Sequence, residues 1–248
     1  MSDLSGRTTI VVGAGRGLGR GVASALAEAG APVVAVSRTV TDFPEPANGS
    51  GAIRTETADA GDPSAVADLI DRHQPTGIVV VAGASLYMRP LQQHTWESFS
   101  AHWHSDVRIS FHWVREVLLT PLRPGSRVVV FGSGAALAGS PLSGGYAGAK
   151  ATQRFITAYA QQEAERAGLD IAFTVVMPRM TPSTAFGRSA VRAYAARSGV
   201  PEEEFVRKMG PVLTPEGAGA AVVELLTVDA SSLAPGYLLT GAGLRRAD

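Results

Sequence analysis

Tyr146 and Lys150 stand four residues apart in the stretch Ser143-Gly-Gly-Tyr-Ala-Gly-Ala-Lys150, and Ser133 lies thirteen residues before the tyrosine. Lys150 is one of only two lysines among 22 basic residues, so its position one helical turn after a tyrosine is informative. At i, i+4 on a helix a phenol and an ammonium project from one face and can meet. A fixed positive charge there favours tyrosinate and draws the phenol pKa towards the working range of a general acid. A serine hydroxyl from a separate element could hold a substrate oxygen beside that acid. The same spacing also describes an ordinary amphipathic surface pair, so the chemical reading depends on the elements around it.

Those elements begin at the N-terminus. Thr8-Thr-Ile-Val-Val12 is a β-branched apolar run suited to a strand buried on both faces. It leads into Gly13-Ala-Gly-Arg-Gly17-Leu-Gly19, then into Arg20 to Ala29, rich in alanine, with Gly30 as the stop. Glycines at such a turn permit close backbone approach, and the free N–H groups of the helix start attract phosphate. Strand, glycine turn and helix together predict dinucleotide binding. The spacing is Gly-x-x-x-Gly-x-Gly, and Arg16 and Leu18 sit inside it.

From Leu4 to about Leu244 the chain resembles the short-chain dehydrogenase/reductase family. The resemblance rests on the glycine loop and on the Ser133, Tyr146, Lys150 set. Three more positions agree: Asp59, followed by Ala60, matches the acidic residue beside the adenine. Ala82-Gly83 matches the tail of an Asn-Asn-Ala-Gly motif, and Pro178 the proline beside the nicotinamide. The resemblance implies that Tyr146 exchanges a proton with a carbonyl or alcohol oxygen and that Ser133 hydrogen-bonds that oxygen. It implies that Lys150 lowers the tyrosine pKa and holds the nicotinamide ribose. A small-molecule carbonyl or alcohol substrate and a homotetramer, or less often a homodimer, are implied too.

The second strand, Pro32-Val-Val-Ala-Val-Ser37, ends without the acid that selects NAD by binding the ribose 2′-OH. Ser37 stands there with Arg38 after it, and Arg16 lies in the glycine loop. Two guanidiniums suit a 2′-phosphate, which they grip with charge-assisted, forked hydrogen bonds. The expected cofactor is NADP(H).

Three positions depart from the family pattern. Asp106 takes the place of a catalytic asparagine whose main-chain carbonyl holds a relay water near the lysine. Its carboxylate could keep that role or pair with Lys150 or Arg108. Val80-Val81 replace the two asparagines before Ala82-Gly83, and Arg179 replaces the glycine after Pro178. These departures keep a rival reading open: a non-redox protein of the same fold, either a cyclase or isomerase, or a cofactor-binding regulator.

The rest of the chain fits one α/β unit over residues 1–248. Apolar strands near 8–13, 32–37, 52–57, 77–82, 126–132, 170–177 and 235–240 alternate with helices near 17–29, 63–73, 95–120, 143–167 and 215–228. That alternation predicts a Rossmann-like, doubly wound parallel sheet of about seven strands, with ligands at its carboxyl edge. Residues 180–211 are less regular and are expected to form a substrate-covering lid. The 22 basic and 22 acidic residues balance, which disfavours nucleic acid and anionic membranes as partners. With no cysteine and no apolar run long enough to span a bilayer, a cytoplasmic protein without thiolate metal sites is expected. His102, His104 and His112 read as packing or interface residues on one long helix, and no metal is predicted.

Overall fold

The computed structural model describes residues 4–45 and 51–247. Residues 1–3, 46–50 and 248 of the expected unit lie outside them. Eight strands form one sheet: β1 (Thr9–Val12), β2 (Val33–Ser37), β3 (Ile53–Thr57), β4 (Gly77–Val80), β5 (Ser126–Phe131), β6 (Ile171–Pro178), β7 (Gly236–Thr240) and β8 (Gly243–Arg246). Their order is β3-β2-β1-β4-β5-β6-β7-β8. All neighbours are parallel except the β7–β8 pair.

The helices are α1 (Gly17–Glu28), α2 (Pro63–His73), α3 (Trp96–His102), α4 (Arg108–Leu119), α5 (Ala135–Ala138), α6 (Tyr146–Arg166), α7 (Ala185–Ser198), α8 (Glu202–Lys208) and α9 (Pro215–Thr227). The strand side chains explain the layering. On β1, Val11 enters a core shared with α1 and α9, while Ile10 and Val12 enter a second core with α2, α4 and α6. Both faces of the central strands are dry, so their sequences read as unbroken runs of Val and Ile. Burying such a side chain contributes about 1.5–3 kcal/mol relative to exposure.

The strand order runs one way from β1 to β3 and the other way from β4 onward. That reversal opens a crevice beyond the carboxyl ends of β1 and β4, where Val12 and Val80 stand in register. Two features differ from the sequence expectation. The sheet gains an eighth, antiparallel strand, whose mostly exposed residues Gly243, Arg245 and Arg246 carry no apolar alternation. The helix expected over 95–120 is interrupted by a π segment at Trp103–Val107. A π insertion rotates the residues around it, and such bulges concentrate at functional sites.

Candidate active site

The carboxyl edge opens into a single cleft of about 2490 Å³. Every residue expected at the site lines it except Gly19. Gly19 acts beneath the floor: a Cβ there would meet the Gly13 carbonyl oxygen, so its absence seats α1 directly on the turn. Gly13 has φ of 87°, and a Cβ on it would lie 2.7 Å from the Cα of Ala82. The turn therefore requires glycine twice, once for conformation and once for close approach to the end of β4.

Beyond the turn, α1 starts with no side-chain cap and no acidic residue in its first turn. Its leading N–H groups, with the positive end of the helix dipole, make a ready anion site. Ser37 ends β2 with its hydroxyl donated to the Thr39 carbonyl at 2.5 Å, and Arg38 rather than an acid follows it. Arg16 and Arg38 are exposed on the cleft, and neither guanidinium has a partner among the described residues. Arg20 lines the same end, where it binds the Asp42 carbonyl at 2.8 Å and lies over the Phe43 ring. Asp59 closes its own turn by accepting from Gly61 N at 2.9 Å, with Arg108 a further 3.9 Å away. The Ala60 carbonyl accepts from the Trp113 indole. An uncapped helix start, a glycine cradle and guanidiniums with no protein partner suit a phosphorylated dinucleotide.

At the other end, Ser133, Tyr146 and Lys150 converge. Tyr146 opens α6, and Lys150 one turn later reaches 5.6 Å from the centre of its ring. Ser133, just past β5, lines the cleft beside the phenol, where its side chain acts to lower the phenol pKa, and its hydroxyl accepts from Ala135 N at 3.2 Å. Lys150 Nζ donates to the Phe131 carbonyl at 3.4 Å and pairs with Asp106 Oδ2 at 3.1 Å. Asp106 is 1% exposed. Of the alternatives left open by the sequence, the carboxylate takes Lys150, and Arg108 turns to Asp59. The Asp106 main-chain carbonyl accepts from Gln153 Nε2 at 3.1 Å.

Asp106 also mends the sheet edge. Its Oδ1 accepts from Ala84 N at 2.8 Å, and a Cβ on Gly83 would meet Oδ2 at 2.8 Å. The carboxylate thus ties the segment after β4 to the π segment. That tether stands where the Val80-Val81 pair offers no side-chain polar group.

The charges bias one another. Burial pushes the Asp106 carboxyl up, but the Lys150 charge and the bonds from His102 and Ser105 outweigh it and hold it well below the usual carboxylate range. Burial pushes Lys150 down, and attraction to Asp106 and Tyr146 carries it above its ordinary value. Tyr146 is raised, because burial exceeds the lowering by Lys150 and Ser133, and Asp106 adds to the rise. Lys150 acts in the expected direction, yet the expectation of a lowered phenol pKa is not met. A neutral buried phenol remains a proton donor, aimed with a serine hydroxyl into the cleft.

Two residues escaped the sequence reading. His102 is buried, with Nδ1 3.3 Å from Asp106 Oδ1 and its ring edge-on to Tyr146 at 5.0 Å. Of the packing and interface alternatives for the helix-borne histidines, His102 takes packing, and it packs against the site. Gln153 is fully buried and fixes the π segment to α6. Both had a signal in their spacing, His102 four residues before Asp106 and Gln153 three after Lys150.

Residues 180–211 form α7 and α8, joined through Gly199 at φ of 65°. Phe186 lies 5.7 Å from the Tyr146 ring. Tyr194 bonds Ser140 at 2.6 Å across the cleft and stacks on Phe205. Arg179 lines the cleft with its stem against Gly134.

The family model of the short chain dehydrogenases matches residues 7–194, most of the chain and all of the site up to α7. The chain belongs to this family. Its members are oxidoreductases that use NAD(P)(H). Similar curated proteins are reductases. L-xylulose reductase of Bos taurus is 32% identical over 105 residues, 42% of this chain and 43% of that one. Versicolorin reductase 1 of Aspergillus parasiticus is 34% identical over 166 residues, 60% and 62% of the two chains. D-erythrulose reductase of Gallus gallus is 34% identical over 134 residues, 52% and 54%. The matched segments thus span about half the length of these relatives. Among solved structures, a short chain dehydrogenase from Mycobacterium avium shares the fold with a TM-score of 0.77 at 23% identity, over 98% of this chain and 85% of that one. A dehydrogenase/reductase from Sinorhizobium meliloti 1021 gives 0.74 at 22% identity, over 94% and 93%.

Proposed function

We propose that the protein is an NADPH-dependent reductase of a small ketone or other carbonyl compound, also able to run the alcohol oxidation in reverse. One observation carries this reading: Ser133, Tyr146 and Lys150 meet in the cleft that the glycine turn and the free start of α1 also line. NADPH, once bound, would supply the hydride for the carbonyl carbon. The start of α1, with Gly13, Gly17 and Leu18, would hold its pyrophosphate, and Arg16 and Arg38 its 2′-phosphate. Asp59 and Ala60 would border the adenine, Ala82 and Gly83 the adenosine side, and Pro178 and Lys150 the nicotinamide end.

Ser133 orients the carbonyl oxygen, and Tyr146 donates its proton to that oxygen. Lys150 stabilises the resulting tyrosinate, because a cation favours the charged form of the phenol. The raised phenol pKa favours the protonated donor, which suits reduction. Residues 180–211 act as the cover of the substrate end, where Phe186 and the Tyr194–Phe205 stack supply apolar walls. The named reductases among the relatives support this chemistry.

The protein acts as a homotetramer or homodimer in this reading, and in the cytoplasm. Exposed Phe111, Leu119, Phe155 and Tyr159 on α4 and α6 give an apolar surface for subunit contact.

The Asp106–Lys150 pair favours a second reading, a non-redox protein of this fold, because the ammonium is already engaged. Following NADPH absorbance with a panel of ketones, diketones and ketoses separates the two. Substrate-dependent oxidation of NADPH supports the reductase, and binding of NADPH with no oxidation across the panel supports the second reading.

A further inference from the structure

His102 is 1% exposed, touches two members of the cluster, and has no part in the mechanism above. Its Nε2 is buried without a hydrogen-bond partner among the described residues. A buried N–H left unpaired forfeits its hydration, whereas a carboxylate can only accept. The proton therefore belongs on Nδ1, where it is donated to Asp106 Oδ1, and Nε2 is the bare acceptor.

That assignment divides the carboxylate. Oδ1 receives His102 Nδ1, the Ser105 hydroxyl at 2.7 Å and Ala84 N at 2.8 Å. Oδ2 is left to Lys150 at 3.1 Å. Four segments meet on this one group: α3 through His102, the π segment through Ser105, the loop after β4 through Ala84, and α6 through Lys150. The other edge of the device is the ring itself, set against Tyr146 at an interplanar angle of 72°. Edge-to-face packing of this kind restricts where a phenol can swing.

We propose that His102 is a positioning residue for the Tyr146–Lys150 pair: it turns Asp106 so that one oxygen faces the lysine, and its ring braces the phenol. The inference deepens the reductase reading and rests on it for its effect on turnover. His102 and Asp106 stand four residues apart, at the entry to the π segment and within it, and both are buried beside α6. The direct ion pair then does the holding of Lys150 that the family resemblance assigns to a water on a main-chain carbonyl.

Three variants separate donor from ring. His102→Asn keeps a donor near the Nδ1 position, His102→Gln moves it outward, and His102→Phe keeps a ring without a donor. For His102→Phe and His102→Gln the expected loss in kcat is roughly ten-fold or more, with the KM for the carbonyl substrate within about two-fold, while His102→Asn, which keeps the donor and gives up the ring, loses only about three-fold. Unchanged kcat in His102→Phe, or an Asn variant as slow as the other two, overturns the proposal. A second measurement needs no turnover. Nitrogen-15 NMR of the ring nitrogens, assigned by the resonance lost in His102→Asn, is expected to report a neutral Nδ1–H tautomer that changes in Asp106→Asn. An Nε2–H tautomer overturns the positioning role. If wild type oxidises NADPH with no carbonyl compound, the reductase reading fails, and the tautomer alone decides the inference.

Discussion

Replacing Asp106 by asparagine keeps the shape of the side chain and removes its charge from the centre of the cluster. The carboxylate is 1% exposed and lies 3.1 Å from Lys150 Nζ. At an effective dielectric of about 20, unit charges at that separation attract by roughly 5 kcal/mol. Desolvation offsets part of this, and breaking one side of a buried pair typically costs about 3–5 kcal/mol. The amide oxygen still accepts from the ammonium, so the lower end, about 3 kcal/mol, is the expected cost. For a chain of this size that corresponds to a fall in Tm of about 6–12 °C.

The pH dependence gives the prediction its sign. The folded-state carboxyl pKa is depressed, so its contribution to stability is present above the unfolded value, near the reference of 3.8, and is lost as pH falls below it. Thermal melts of wild type and Asp106→Asn should differ fully at pH 6–7, and the gap should close as pH falls through about 4 and below. In the same variant the Lys150 charge acts on Tyr146 unopposed, so the alkaline limb of turnover moves to lower pH. Equal Tm values at neutral pH, or a gap that does not narrow on acidification, would refute the buried ion pair.

Further outcomes follow from the rest of the cleft. Arg16→Ala and Arg38→Ala should each weaken NADPH by roughly ten-fold, about the worth of a charge-assisted bond, and leave NADH almost unchanged in titration calorimetry. Gly13→Val forces a β-branched side chain into φ of 87° and against Ala82, so NADPH should no longer raise the melting temperature of the variant. Ser133→Ala should lower kcat by roughly ten- to a hundred-fold in NADPH-oxidation assays while NADPH binding persists, since the proposed role of the serine is to orient the carbonyl oxygen beside the phenol.

Much of this site is legible in the chain because its signals are local. The glycine turn announces itself by following a buried strand and opening a helix. Tyr146 and Lys150 do so by one helical turn. The strand alternation gives the sheet and the edge where the site must lie. β8 leaves no such trace: it is four residues long, exposed, and held by a hairpin register rather than by an apolar face. The π segment is equally silent, because a one-residue insertion in a helical ladder changes hydrogen bonding without changing composition. The carboxylate shared between His102 and Lys150 is a tertiary arrangement, because Lys150 comes from a separate helix. The raised phenol pKa is hidden for a related reason: spacing reveals the neighbouring ammonium but not the depth of burial that outweighs it.

Tyr146→Phe tests most directly whether the Tyr146 phenol gives up the proton. The variant removes one oxygen from a ring that keeps its packing against His102 and Phe186. With NADPH and the best carbonyl substrate from the panel, turnover should fall roughly a hundred- to ten-thousand-fold, the usual worth of a general acid, with NADPH affinity within about two-fold of wild type. Turnover at the wild-type rate in the phenylalanine variant would contradict the account.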